Sequence, residues 1–504
     1  MSLAVAATLL AVAVFSDAAP TGASCESLSA LALPDTTITV AEIVAAGELS
    51  VPGVPPGATR DLPAFCRVAA TLKPTSDSVI KIEVWLPPSG WNQKYQAVGN
   101  GGWAGSISYG PMGEALRRGY ATSSTDTGHT GNGGDASFAL GHPEKLIDLG
   151  YRSEHEMTLK SKAIIAAFYG SAPRYSYWNG CSTGGKQGLT EAQRFPNDFD
   201  GIVAGAPANN WTHLMASLVW IGQATLKDPA SSIPREKFAL LNNAAVEACD
   251  ALDGVKDGVL ENPTRCRFDP KVLECKAGDA PACLTAPQVD AARKIYGAAK
   301  NPRTGHEIYP GLEPGSELGW AAAAGGPKPF EIVDNHFKYV VFRDPTWDFR
   351  TLDFDGGVAL ADRLDNGTLN ATNPDLKGFV SRGGKLIQYH GWNDMLIAPR
   401  NSVNYYTSVI KTMGGAAKTA EWFRLFMAPG MGHCGGGAGP NSFDVMSALE
   451  PWVEQGKAPE QIIASHRTAG KVDRTRPLCP YPQTAHYKGA GSTDEAASFV
   501  CKAP

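Results

Sequence analysis

The stretch Tyr175-Ser-Tyr-Trp-Asn-Gly-Cys-Ser-Thr-Gly-Gly-Lys-Gln-Gly-Leu189 runs from an aromatic, β-favouring segment through glycines into a segment with helical character. Tyr175 to Asn179 reads as a strand and Gly184 to Arg194 as the helix that follows it. Between them, Gly180-Cys181-Ser182-Thr183-Gly184 matches the G-x-S-x-G elbow. In that elbow, flanking glycines tolerate a strained strand-to-helix turn that lifts the serine hydroxyl clear of a sheet. The bland alternative is a glycine-rich turn. The strand before and the helix after are what the elbow requires.

Outward from this point, strands and helices alternate. Ser78 to Leu86, Tyr95 to Val98 and Tyr120 to Ser124 read as strands upstream, with helices near Glu114 to Arg118 and from Glu154 to Tyr169. Gly201 to Ala206 follows as another strand, so this half reads as an α/β parallel sheet. From about Asn209 to Thr372 the alternation breaks and Pro, Gly and local Cys increase, as expected of an inserted lid. It resumes with a strand over Gly384 to His390, a helix over Ser402 to Met413, a strand over Trp422 to Met427 and an amphipathic helix over Phe443 to Glu454. A Cys-bearing tail closes the chain.

The 504 residues are 43% apolar, enough for a substantial core, and the net charge of -5 with dispersed Lys and Arg leaves no footprint for nucleic acid or an anionic membrane. Leu3 to Phe15 is an apolar run followed by small residues, expected to be a signal peptide over residues 1–19 although no Lys or Arg precedes it. No later segment reaches the roughly 20 apolar residues of a membrane helix. A secreted or periplasmic protein is expected. Its ten cysteines suit an oxidising compartment, and no Cys-x-x-Cys pair suggests zinc. Cys249 and Cys266, Cys275 and Cys283, and Cys479 and Cys501 could close short loops. Cys25 and Cys66 could staple the N-terminal segment, which leaves Cys181 and Cys434.

A serine hydroxyl needs a base within hydrogen-bond reach and a carboxylate to orient that base. Asp394 follows one late strand and His433 the next, in the order Ser, acid, His that an elbow serine takes. The alternatives are a helix cap for Asp394 and a mobile glycine loop for His433. A cysteine precedes the serine and another follows the histidine. If the base approaches Ser182 to about 3 Å, the neighbouring Cα atoms fall within the roughly 4.4–6.8 Å that a disulfide spans. A Cys181–Cys434 bond is thus compatible with a Ser182–His433 pair. Two N–H donors for an oxyanion are assigned to Thr183 and Gly102, with Gly101 the neighbouring candidate and an ordinary tight turn over Gly99 to Gly105 the alternative.

Asp250-Ala-Leu-Asp253-Gly-Val255-Lys-Asp257-Gly-Val259 sets three carboxylates at close spacing among glycines, a donor type that suits calcium. It is not an EF-hand, and a solvated acidic turn is the alternative. Beside Cys249, it is expected to be a stapled structural loop remote from the hydrolytic chemistry.

Cys181-Ser182, Asp394 and His433-Cys434 together resemble the CS-D-HC motif of the tannase and feruloyl esterase family. Asp126-Thr-Gly-His129, the stretch from Asp135 to Pro143 and His390-Gly-Trp-Asn-Asp394 also resemble its signatures, and the likeness spans most of the chain. The resemblance implies an α/β-hydrolase fold, residues 20–208 and 373–504, with a large inserted lid domain, residues 209–372, that holds a structural calcium. It implies calcium ligation by the carboxylates of Asp250, Asp253 and Asp257 and the carbonyls of Val255 and Val259. It also implies the pairings Cys25–Cys66, Cys181–Cys434, Cys249–Cys266, Cys275–Cys283 and Cys479–Cys501.

The activity implied is hydrolysis of small aromatic esters of hydroxycinnamic or gallic type. The cysteine spacing is also similar to that of the mono-hydroxyethyl terephthalate hydrolases, a branch of the family, but Ile397 stands here where that branch has an aromatic. Lid aromatics near Phe337, Phe342 and Trp347 would clasp the ring, with Arg343 or Arg350 available for a carboxylate or phenol. The rival readings are an acyltransferase or peptidase using the same three residues, and a calcium-dependent carbohydrate-binding protein. Oligomeric state is not legible.

Overall fold

The computed structural model describes residues 22–51, 54 and 59–503, so the expected signal peptide over 1–19 lies outside it. In chain order the strands are β1 (Thr36–Val44), β2 (Phe65–Leu72), β3 (Ile80–Leu86), β4 (Lys94–Val98), β5 (Ala121–Thr125), β6 (Tyr175–Cys181) and β7 (Gly201–Gly205). Two short strands, β8 (Ala299–Lys300) and β9 (Glu307–Tyr309), precede β10 (Lys385–Gly391) and β11 (Phe423–Ala428). One sheet runs in the order β1-β2-β3-β5-β4-β6-β7-β10-β11.

From β5 to β11 every neighbouring pair in that sheet is parallel. The β1–β2, β2–β3 and β3–β5 pairs are antiparallel, so the sheet is mixed and the parallel reading holds for its site-bearing half only. The sequence reading missed β1 and β2. Half-exposed β1 carries a weak pattern, and antiparallel neighbours need no crossover helix to announce them.

Successive side chains of each strand point to opposite faces. On one face Ile202, Leu386 and Leu425 pack with Met157, Leu189 and Val409 from the helices Ser153–Tyr169, Thr183–Arg194 and Arg400–Thr412. On the other, Val203, Ile387 and Phe426 meet Leu449 and Trp452 of the helix Val445–Gln455. The segment between β7 and β10 builds a core of its own around the helix Trp211–Leu226, and that core also takes in Trp103 and Leu149.

Beyond Gln455 the tail forms two hairpins, β12 (Ile462–Thr468) with β13 (Lys471–Leu478) and β14 (Thr484–Tyr487) with β15 (Phe499–Lys502). The second packs on Val255 of the acidic loop. Among the described residues, no helix is long and apolar enough to cross a membrane.

Candidate active site

Cys181 ends β6 level with Gly205 of β7, and the chain turns at Ser182 with φ 64° and ψ -121°. A non-glycine residue in that region costs about 1–3 kcal/mol, so its surroundings must impose it. They do so through the backbone. The Ser182 N–H donates to the Gly205 carbonyl at 2.9 Å, and the Ser182 carbonyl accepts from Lys186 at 3.0 Å and Ala208 at 3.1 Å. At Gly180 a Cβ would sit 2.5 Å from the Gly184 carbonyl oxygen, so only glycine allows strand and helix to approach.

The parallel register sets Gly391 of β10 beside Ala428 of β11, and both chains leave the sheet at the same edge as Ser182. The loop after β11 folds back over the end of β10, where Trp392 donates to the Ala428 carbonyl and Asn393 to that of Met431, each at 2.9 Å. This return brings three sequence-distant side chains together. His433 Nε2 lies 3.0 Å from Ser182 Oγ, and His433 Nδ1 lies 2.8 Å from Asp394 Oδ2. Asp394 Oδ1 accepts from the backbone N–H groups of Leu396 at 2.8 Å and Ile397 at 3.0 Å.

Asp394 is wholly buried. Burial alone would raise its pKa, but the neighbouring His433 charge and the hydrogen bonds from His390 and His433 outweigh it and hold the carboxyl below its usual range. For His433, burial disfavours the cation, yet the Asp394 charge and hydrogen bond prevail and raise it above an ordinary histidine. The pair is thus poised as carboxylate and readily protonated imidazole.

The Cys181–Cys434 disulfide, with 6.0 Å between Cα atoms, joins the residue before Ser182 to the residue after His433. The other four bonds link Cys25 to Cys66, Cys249 to Cys266, Cys275 to Cys283 and Cys479 to Cys501, so all ten cysteines pair.

Thr183 opens the helix after Ser182, and the N–H of a first helical residue has no partner within the helix. Its hydroxyl donates to the Gly102 carbonyl at 2.7 Å, bringing the two assigned donors into one corner. Gly102 has φ 55°, and a Cβ there would lie 2.2 Å from the Gly133 carbonyl oxygen. A network that the sequence reading missed holds this loop. Gln187 accepts from Asn100 N–H at 3.0 Å and donates to Asn100 Oδ1 at 3.1 Å and to Glu154, while Gly184 N–H donates to the Asn100 carbonyl at 2.8 Å. Glycine-rich sequence marked the turn, but nothing local marked Gln187 as its clamp.

In the acidic loop, Asp250 accepts from Gly258 N–H at 2.9 Å, Asp253 from Val255 N–H at 2.9 Å, and Asp257 from Val259 N–H at 3.1 Å and from Arg476. Among the described residues, no three acidic, His or Cys side chains converge as a metal-holding group. The acidic loop's Val259 end touches the loop that carries His433, with Val259 Cγ1 3.1 Å from where a Cβ on Gly430, three residues before His433, would be.

Phe337, Phe342 and Trp347 stack on one another with centroids 5.1–6.1 Å apart, and Phe337 is fully buried. Arg350 is paired with Asp348 at 2.8 Å, and Arg343 has φ 54°.

A mostly parallel sheet with helices on both faces and a serine on the strand-to-helix elbow defines an α/β-hydrolase fold. The family model for tannase and feruloyl esterase matches residues 66–502, and the chain belongs to that family. It is 42% identical to an uncharacterized esterase of Xanthomonas campestris pv. campestris, over 98% of this chain and 94% of that protein. The crystal structure of feruloyl esterase B from Aspergillus oryzae superposes with a TM-score of 0.90 at 32% identity, covering 95% of this chain and 99% of that one. Tannin acyl hydrolase from Aspergillus niger gives 0.77 at 26% identity, covering 94% and 92%. The protein is a carboxylic ester hydrolase of this family.

Proposed function

We propose that this protein hydrolyses esters of aromatic acids, of hydroxycinnamic or gallic type, through an acyl-enzyme on Ser182. The observation that carries the reading is the unbroken line Ser182 Oγ, His433 Nε2, His433 Nδ1, Asp394 Oδ2, with steps of 3.0 and 2.8 Å on either side of the imidazole. His433 takes the serine proton as Oγ attacks the ester carbonyl and passes it to the leaving alcohol. Asp394 stabilises the imidazolium, and the N–H groups of Gly102 and Thr183 receive the oxyanion. Water then attacks the acyl-enzyme by the same route in reverse and releases the acid. The substrate class rests on the feruloyl esterase and tannin acyl hydrolase named above.

Five disulfides support an oxidising destination, secreted or periplasmic. Calcium is proposed for the acidic loop. The reading rests on donor type, three carboxylates of one loop with buried Glu261 Oε2 unpartnered beside them, although the carboxylates accept backbone N–H groups and Arg476 and do not converge on one point. Asp250, Asp253 and Asp257 and the carbonyls of Val255 and Val259 would hold the ion, which would supply charge neutralisation between loop and tail. A chelator is expected to lower Tm, and readdition of calcium to restore it.

The test of the function is turnover of methyl ferulate, methyl gallate, chlorogenate and mono-hydroxyethyl terephthalate esters. Ser182→Ala is expected to lose at least about 1000-fold in kcat. Wild-type turnover in that variant overturns the serine assignment, and exclusive use of the terephthalate ester overturns the substrate class.

A further inference from the structure

Asp394 carries a second histidine. His390, wholly buried near the end of β10, places Nε2 3.0 Å from Asp394 Oδ2 and 3.0 Å from the Ile397 carbonyl, with Nδ1 2.7 Å from Ser402 Oγ. Both neighbours of Nε2 are acceptors, so Nε2 carries the proton. The Ser402 hydroxyl then donates to Nδ1, and the direction of the whole chain follows. Ser402 donates to His390, His390 to Asp394, and His433 to the same Asp394 oxygen. With Leu396 and Ile397 on Oδ1, the carboxylate holds four N–H donors, and only Oδ2 faces the reacting histidine.

We propose that His390, its tautomer set by the two acceptors at Nε2 and its Nδ1 held by Ser402, is a positioning residue that fixes Asp394 Oδ2 for His433 and divides that oxygen's charge between two imidazoles. The proposal rests on the triad reading above. A core aliphatic would fill the same space, but it would leave Ser402 and the Ile397 carbonyl without their partner and Oδ2 with one donor instead of two.

Two consequences separate this role from packing. Without the His390 N–H, Oδ2 is less firmly oriented, so turnover falls. The undivided charge then also acts on His433, which holds its proton to higher pH. The other groups around the pair do not compete for this effect. The buried Tyr309 phenol of β9 is kept neutral by burial and by the Asp394 charge, and Arg400, on the helix of Ser402, is paired with Glu313.

The experiment is the pH profile of kcat and kcat/KM for His390→Leu, His390→Gln and Ser402→Ala, each checked for fold by circular dichroism, with Ser182→Ala alongside. His390→Leu is expected to lose about tenfold or more in kcat, with KM within about threefold, and to move the acid limb of kcat/KM upward. His390→Gln, which retains an amide N–H donor, should recover to within about fivefold of wild type and bring the limb back. Ser402→Ala should shift the limb in the same direction by less, and it carries the test if the leucine variant does not fold. A folded His390→Leu or Ser402→Ala protein with wild-type kcat and acid limb overturns the proposal. So does equal impairment in the leucine and glutamine variants. Wild-type turnover in Ser182→Ala overturns the triad reading instead, so the two failures are distinguishable.

Discussion

Two stapled loops meet at Gly430, and they are built on opposite plans. The Cys181–Cys434 bond spans 253 residues and ties together two loops that leave different strands, whereas Cys249–Cys266 spans 17 and closes the acidic loop on itself. In the first, each hydrogen bond of the Ser182, His433 and Asp394 line crosses between elements distant in sequence. In the second, the carboxylates mostly accept backbone N–H groups two to eight residues ahead, and Arg476 is the distant partner of Asp257. A long-range staple fixes a distance between elements, while a local one fixes the shape of a single element. On the proposed reading, the first bears on catalysis and the second on stability.

The sharpest attack on the long-range side is Asp394→Asn. It removes the charge that raises His433 and disturbs its tautomer, so kcat should fall by about 10,000-fold. In the wild type the acid limb of kcat/KM is expected above the ordinary histidine value near 6.5, because a raised His433 is a free base only above its own pKa. In the variant the limb should move down, since burial alone disfavours the cation. A residual-activity pH profile checks the sign, which is opposite to that expected for His390→Leu.

Next in size is Cys181→Ser with Cys434→Ser. Chain entropy for a 253-residue closure suggests a stability loss approaching about 5 kcal/mol. Turnover below the melting transition should also fall by about tenfold, because base and nucleophile are no longer pinned. Retained turnover with lowered Tm would reduce this bond to the role assigned to the local one.

Cys249→Ser with Cys266→Ser is the smallest expected change. The 17-residue closure suggests about 3 kcal/mol of stability at most, with kcat below the transition within about threefold of wild type. A large kcat loss would show that the contact of Val259 with Gly430 transmits loop order to His433 and would erase the contrast.

Much of this protein is written locally. An elbow needs glycines beside its serine and a strand and helix around it, and all of these lie within the 20 residues from Tyr175 to Arg194, so both the element order and Ser182 could be read there. Asp394 and His433 were legible because each follows a late strand, and the cysteines beside Ser182 and His433 hinted that distant loops meet. Most boundaries shifted by a residue or two, though the helix expected near Glu114 begins at Tyr109, and β1 escaped because an edge strand exposed on one side carries little periodic signal, whereas β2, mostly buried between β1 and β3, was missed despite its alternation.

What only the tertiary structure decided are relations between elements that share no sequence pattern. Gln187 clamps Asn100 across 87 residues, and Val259 packs on Gly430 although its loop reads as a separate, stapled unit. His390 was quoted in a signature without a role, because a histidine four residues before an aspartate shows neither which oxygen it reaches nor that Ser402 lies behind it. Sequence determines which groups are available and the local turns that present them. Which lone pair meets which proton depends on strand register and on how the loops fold back over the sheet edge, and those are set by packing.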